Sequence, residues 1–128
     1  MADMNEMAAA FEAVLKTGDF AKVQELALTY ASDDFVQEWP QSGERIVGQQ
    51  ACRNVYQNYP GGPPSYELRR ITGGPDVFTV EAVGDYSGQK VYLTSIVEFR
   101  NGKIAKQTDY FANAFEAPAW RAQWVEQS

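Results

Sequence analysis

Apolar residues recur at helical spacing through the first sixty positions and at alternating spacing through most of the remainder. Between residues 3 and 17, Met4, Met7, Phe11, Val14 and Leu15 make one stripe, the i, i+3, i+4 pattern of an amphipathic helix. Asp3 is placed to cap it, with Glu6 three residues on in capping-box spacing. Gly18 ends this helix and Asp19 opens a second, whose buried side reads Phe20, Val23, Leu26, Ala27 and Tyr30. Ser32-Asp33-Asp34 breaks the pattern. Residues 35–40 then read as a short strand stopped by Pro40. Gln41-Ser42-Gly43 turns the chain into residues 44–47, and Gly48 opens a third helix to about residue 59. Ala51, Cys52, Val55, Tyr56 and Tyr59 form the apolar side of that helix. The run Pro60-Gly61-Gly62-Pro63-Pro64 is a hard stop.

Four strands follow, over 66–72, 77–83, 90–100 and 103–112, separated by Gly73-Gly74-Pro75, by 84–88 and by Asn101-Gly102. Turns this short join antiparallel neighbours. Helices first and a β-meander afterwards predict an α+β fold, with three N-terminal helices packed on a curved, mainly antiparallel sheet, in a single domain over 1–128. The tail, Pro118 to Val125 with Trp120 and Trp124, reads as a lid or a piece of a dimer interface.

The final strand contains the most informative residue. Alternation places Ala105, Gln107, Asp109 and Phe111 on one face and Ile104, Lys106, Thr108 and Tyr110 on the other. If the first face is the inner one, Asp109 points into the protein from mid-strand. A carboxylate there costs several kcal/mol unless it is hydrogen-bonded, paired or neutralised, and a desolvated carboxylate is suited to proton abstraction. In residues 35–40 the parity sets Val36 and Glu38 against Phe35, Gln37 and Trp39, and both sets are mixed. Glu38 is the candidate for a second carboxylate near Asp109, whereas size favours Trp39 facing inward. Tyr56, Tyr59, Tyr92 and Tyr110 suit a greasy pocket that offers a few hydroxyls. Gln107, one strand step from Asp109, is placed to orient a carbonyl or satisfy Asp109, Phe111 shares its face, and Trp39 and Trp120 are candidates to wall a flat ligand. Glu81 is a weaker pocket candidate, and Cys52 reads as a small buried apolar residue.

Composition narrows the chemistry. The chain has 128 residues and a net charge of −6, and its eleven basic residues are scattered. That argues against nucleic acid or an anionic membrane as partner. No apolar run approaches the roughly 18–20 residues of a membrane span, and the first residues lack the basic start and apolar stretch of a signal peptide, so a cytoplasmic address is expected. A single cysteine permits no internal disulfide, and there is no histidine. Ser-His and Cys-His nucleophiles and His-based zinc sites are thereby removed. No phosphate-cradling or dinucleotide glycine motif is present. Any chemistry falls to Asp, Glu, Tyr, Lys or Arg, and no cofactor or metal is expected.

The element order resembles the nuclear transport factor 2-like superfamily, and within it the SnoaL-like branch. Three places carry the resemblance: Tyr30 to Phe35 leading to Trp39-Pro40, Gly48 opening the third helix, and the last strand from Gly102 through Asp109-Tyr110-Phe111. The resemblance implies a cone-shaped α+β barrel with an apolar pocket at its wide end, and a homodimer formed through the outer sheet face around Tyr92, Thr94, Ile96 and Phe99. The last strand is similar to that of limonene-type epoxide hydrolases, in which an aspartate before Tyr-Phe is the general base; that role maps onto Asp109. The Arg and second Asp of those enzymes have no match in 79–83, which holds only Glu81, and their water-holding Tyr and Asn fall near Val36 and Glu38. The polyketide cyclase branch pairs its Asp with a His that this chain lacks. The implied function is a cofactor-independent isomerase, cyclase or hydrolase acting on a small hydrophobic molecule, with Asp109 as base and Glu38 or a tyrosine as acid. The alternative is a non-catalytic ligand-binding or dimerisation module.

Overall fold

The switch in hydrophobic period becomes a division of labour between helices and sheet. A computed structural model describes residues 4–62 and 64–127, excluding the side chains of Met4 and Phe20. The Asp3 cap, the Met4 and Phe20 stripe positions and Pro63 therefore lie outside the described residues. The elements are α1 (Met4–Leu15), α2 (Phe20–Tyr30), β1 (Ala31–Trp39), β2 (Glu44–Val47), α3 (Gln49–Gln57), β3 (Ser65–Gly73), β4 (Val77–Tyr86), β5 (Gln89–Arg100) and β6 (Lys103–Asn113), followed by a 3₁₀ turn at Ala119–Trp124. The six strands form one sheet in the order β2-β1-β6-β5-β4-β3. Every pairing is antiparallel except β1 with β6, which is parallel. The fold is α+β, with the three helices packed on the sheet.

Met7, Phe11 and Leu15 of α1 and Ala27 and Leu28 of α2 are buried. Phe11 meets Phe78 of β4 with ring centroids 5.8 Å apart, and Phe78 meets Phe99 at 5.4 Å. Burying one such ring is worth about 1.5–3 kcal/mol. The sheet edge is tied to the helices by α3, whose only fully buried side chain, Cys52, faces β1. No helix among the described residues is long and apolar enough to cross a membrane.

Four expectations change. Ser32-Asp33-Asp34 continues β1 instead of breaking it, because a register shift between Ala31 and Val36 lets the strand start directly after α2. The turn expected over 84–88 shrinks to Ser87-Gly88, since Gly84, Asp85 and Tyr86 stay in the ladder opposite Val91, Lys90 and Gln89. Both turn residues have positive φ, 55° and 91°, the geometry that suits a twisted two-residue hairpin. In β6, Ile104 pairs with Phe99 and Lys106 with Glu98, so Ala105 is bulged out of the alternation. Ile104 on one side of the bulge and Gln107, Asp109 and Phe111 on the other consequently all face inward. Phe99, expected on the outer face, packs against Phe78 inside.

Candidate functional site

Asp109 is 2% exposed, and its carboxylate is the centre of a closed hydrogen-bond network. Four side chains donate to it. Gln37 Nε2 (2.5 Å) and Trp39 Nε1 (2.9 Å) reach Oδ2 from β1, while Ser95 Oγ (2.5 Å) on β5 and Gln107 Nε2 (2.9 Å) on β6 reach Oδ1. Strand order explains the convergence. β6 lies between β1 and β5, Ser95 sits directly opposite Asp109, and the parallel β1–β6 register brings Gln37 and Trp39 alongside. The Gln37 amide is oriented from its other end, where Oε1 accepts from Tyr56 O–H at 2.7 Å and from Cys52 Sγ at 3.7 Å. With its oxygen committed to α3, only its NH₂ remains to face Asp109. A carboxylate offers about four lone-pair directions, and here all are in use.

The network forms one wall of a partly open, mostly aromatic and aliphatic cavity of about 50 Å³ between the helices and the sheet. Trp39, Tyr59 and Phe111 also line an adjoining open vestibule of about 360 Å³, completed by Tyr86, Gln89, Val91 and Asn113. Trp39 and Phe111 meet edge to face at 5.9 Å, and Gln41 clamps the Phe111 backbone through both its amide ends at 2.5 Å each. Opposite Tyr66 on β4 stands Gly84, where an added Cβ would lie 2.9 Å from the Tyr66 ring. That missing side chain lets Tyr66 and Tyr86 hydrogen-bond through their hydroxyls. Asp109 is the only charged residue lining either space among the described residues.

Of the residues proposed from sequence, Trp39, Tyr56, Tyr59, Gln107, Asp109 and Phe111 meet at this cavity. Four do not. Glu38 lies on the opposite side of β1, paired with Arg45 at 3.4 Å and Lys106 at 3.3 Å, because strand alternation that turns Gln37 and Trp39 inward must turn Glu38 outward. Tyr92 and Tyr110 stand on the outer sheet face, Tyr92 with Lys90 over its ring. Trp120 is 72% exposed on the 3₁₀ turn and does not cover the cavity. Glu81 likewise faces outward and pairs with Arg70. Sequence reasoning did not single out Gln37, Ser95 or Tyr66. Ser95 carried a signal, being the polar member of the inward set Val91, Leu93, Ser95, Val97.

Burial is the first cause of the titration behaviour. Tyr56, Tyr59, Tyr66 and Tyr86 are all pushed above the usual phenol value, with the negative field of Asp109 adding to desolvation. They are hydrogen-bond donors across the neutral range. The Cys52 thiol is pushed up to about 11, by burial first and by Asp109 second. Because the folded value lies above the unfolded one, this thiol contributes stability that is complete below the unfolded value and lost as pH rises through about 11. The urea midpoint is therefore expected to hold to about pH 8.5 and fall above it, and Cys52→Ala should fall less steeply. Identical slopes for the two proteins would show that the thiol titrates freely.

Comparison with known proteins places the chain. The family model for the SnoaL-like domain matches residues 8–107, ending two positions before Asp109. A nuclear transport factor 2-like protein of unknown function from Burkholderia xenovorans is 39% identical over 97% of this chain and 94% of its own, with a TM-score of 0.79. A candidate ketosteroid isomerase from Kribbella flavida is 22% identical over 95% and 87%, with a TM-score of 0.78. An epoxide hydrolase of the limonene type from Mycobacterium tuberculosis is 17% identical over 83% of each chain, with a TM-score of 0.60. At those two lower identities the likeness is one of fold. No curated protein matches. This chain belongs to the SnoaL-like domain family, on the nuclear transport factor 2-like fold.

Proposed function

We propose that the protein binds a small, mainly apolar carbonyl compound and moves a proton at the carbon beside the carbonyl, without a cofactor, using Asp109 as general base. The observation that carries this reading is a single buried carboxylate on a cavity that also presents the protonated phenols of Tyr56, Tyr59 and Tyr66. The carboxylate would take the proton as the C–H bond breaks. The electron pair would pass to the carbonyl oxygen, where a phenol O–H such as that of Tyr59 or Tyr66 would stabilise the enolate. Return of the proton to another carbon completes an isomerisation, and attack by the enolate on a second carbonyl completes a cyclisation. Epoxide opening fits less well, because it needs an acid at the leaving oxygen and both Glu38 and Glu81 face away. Relatives by fold named as ketosteroid isomerase, polyketide cyclase and epoxide hydrolase support a small-molecule pocket. Exposed Tyr92 and Tyr110 on the outer sheet face support pairing with a second copy.

A second reading, ligand binding without turnover, is favoured by one observation: all four acceptor directions of Asp109 are occupied, so a donor must let go before a proton can be taken up. Proton exchange separates the two. Cyclic ketones and β,γ-unsaturated ketones in D₂O, followed by proton NMR, are expected to lose their α-hydrogen signals about 10²–10⁴ times faster than in buffer. Binding shifts without exchange would leave the second reading standing, and neither effect would remove both.

A further inference from the structure

We infer that the cavity and its mouth admit a small quaternary ammonium cation, held by aromatic walls and by the charge of Asp109. The inference uses the cavity of the proposed function but depends on no reaction there. Its starting point is a charge imbalance. Asp109 is 2% exposed, and its partners, Gln37, Trp39, Ser95 and Gln107, are all neutral. The basic residues with ion-pair partners spend them elsewhere: Arg45 and Lys106 on Glu38, Arg70 on Glu81, Arg100 on Asp34, Arg53 on Glu25 and Lys16 on Glu12. No Lys or Arg lines the cavity among the described residues. A buried anion without a countercharge makes the space beside it electrostatically negative, and five groups around it resist ionisation in part because of Asp109.

The walls suit the same ligand. Phe11, Trp39, Tyr56, Tyr59, Tyr66 and Phe111 all line the space, and aromatic faces attract cations, most strongly where water is excluded. The hydrogen-bond count then selects the kind of cation. A primary ammonium brings three N–H donors that need acceptors, but the carboxylate has none to spare. A quaternary ammonium has no N–H and needs only field and contact. About 50 Å³ of free space holds roughly one N-methyl group, so the rest of the ammonium head sits at the mouth against Trp39, Tyr59 and Phe111. A longer substituent has a path outward, past Trp39, Tyr59 and Phe111, into the vestibule, whose Gln89 and Asn113 are neutral.

Choline, its uncharged isostere 3,3-dimethylbutan-1-ol, and ethanolamine form the test set, measured by isothermal titration calorimetry on the whole protein at pH 7 and constant ionic strength. Choline is expected to bind at least about tenfold more tightly than either of the others, since a unit charge near a poorly solvated partner is worth that much or more. Trp39→Leu should weaken choline, and Asp109→Asn, if folded, should bring choline and the isostere to within about twofold. Equal affinity of choline and the isostere for the wild type, or no choline binding up to about 100 mM, would overturn the inference. The comparison on the wild type needs no variant to fold. Choline binding without ketone exchange would remove only the proposed reaction, and exchange without choline binding would remove only this inference.

Discussion

Replacing Asp109 with asparagine is expected to lower the melting temperature by roughly 10 °C and to remove about 10²–10⁴-fold of any ketone-exchange activity. Both effects follow from the donors around it. The wild-type carboxylate accepts from Gln37, Trp39, Ser95 and Gln107. An amide keeps one acceptor oxygen and turns an NH₂ group toward donors that have no reason to move. Ser95 can rotate its hydroxyl to accept, but Trp39 N–H can only donate, and Gln37 is fixed by Tyr56 and Cys52. One or two buried donors left unpaired cost about 1–3 kcal/mol each, and in a domain of this size that corresponds to the stated melting shift. Glu38→Gln is the control. Its partners are on the outer face, so its stability should change by less than about 1 kcal/mol and its exchange rate not at all. Thermal melts and the exchange assay on the two variants check both statements. An Asp109→Asn protein as stable and as active as wild type would mean that the carboxylate neither organises the cavity nor acts in it.

The same residues show why part of the site was legible and part was not. Asp109 stood out because strand alternation made it the charged member of an otherwise neutral inward set, and that argument needs only local periodicity. The element types and most of their order were legible for the same reason, through stripes such as Met7-Phe11-Leu15 and turns such as Asn101-Gly102. Local periodicity fails where the register slips. The bulge at Ala105 puts Ile104 and Gln107 on one side, and the irregularity in β1 lets Ser32-Asp33-Asp34 remain in the strand. It fails again where both faces of a strand are mixed, as in residues 35–40, where only the contact of β1 with β6 and α3 decides that Gln37 and Trp39 turn inward. Gln37 was the hardest to see. Its importance lies in being held at both ends, by a helix at one and a strand at the other, and no spacing in the sequence encodes that. Trp120 was misjudged for the opposite reason, since a large aromatic near a chain end says nothing about whether it reaches the core.

Gln37→Glu is the variant expected to depend most steeply on pH. The substitution is nearly isosteric, but it brings a second carboxyl to where an amide nitrogen now lies 2.5 Å from Asp109 Oδ2. Two buried carboxylates at that distance cannot both be ionised, so the pair retains a shared proton to a pH well above that of either group alone. The upper of the two apparent values in the folded protein is thus raised above the unfolded reference of about 4.3. By linkage, the stability that depends on the shared proton is complete below about pH 4.3 and is lost as pH rises through that raised value. At pH 5 the shared proton replaces the Gln37 N–H, and the variant should unfold close to the wild-type urea midpoint. At pH 8 the proton must leave or remain at a cost, and a loss of about 3–5 kcal/mol is expected, the usual cost of a buried charge deprived of its partner. The wild type carries an amide here, so the difference between the two urea midpoints isolates this proton from every other titrating group. Two midpoints that run parallel from pH 5 to pH 8 would mean that Gln37 and Asp109 are not held in contact in solution. If they diverge as described, the Tyr56–Gln37–Asp109 chain is rigid enough to fix the direction of one amide, which a general base in an otherwise neutral cavity requires of its surroundings.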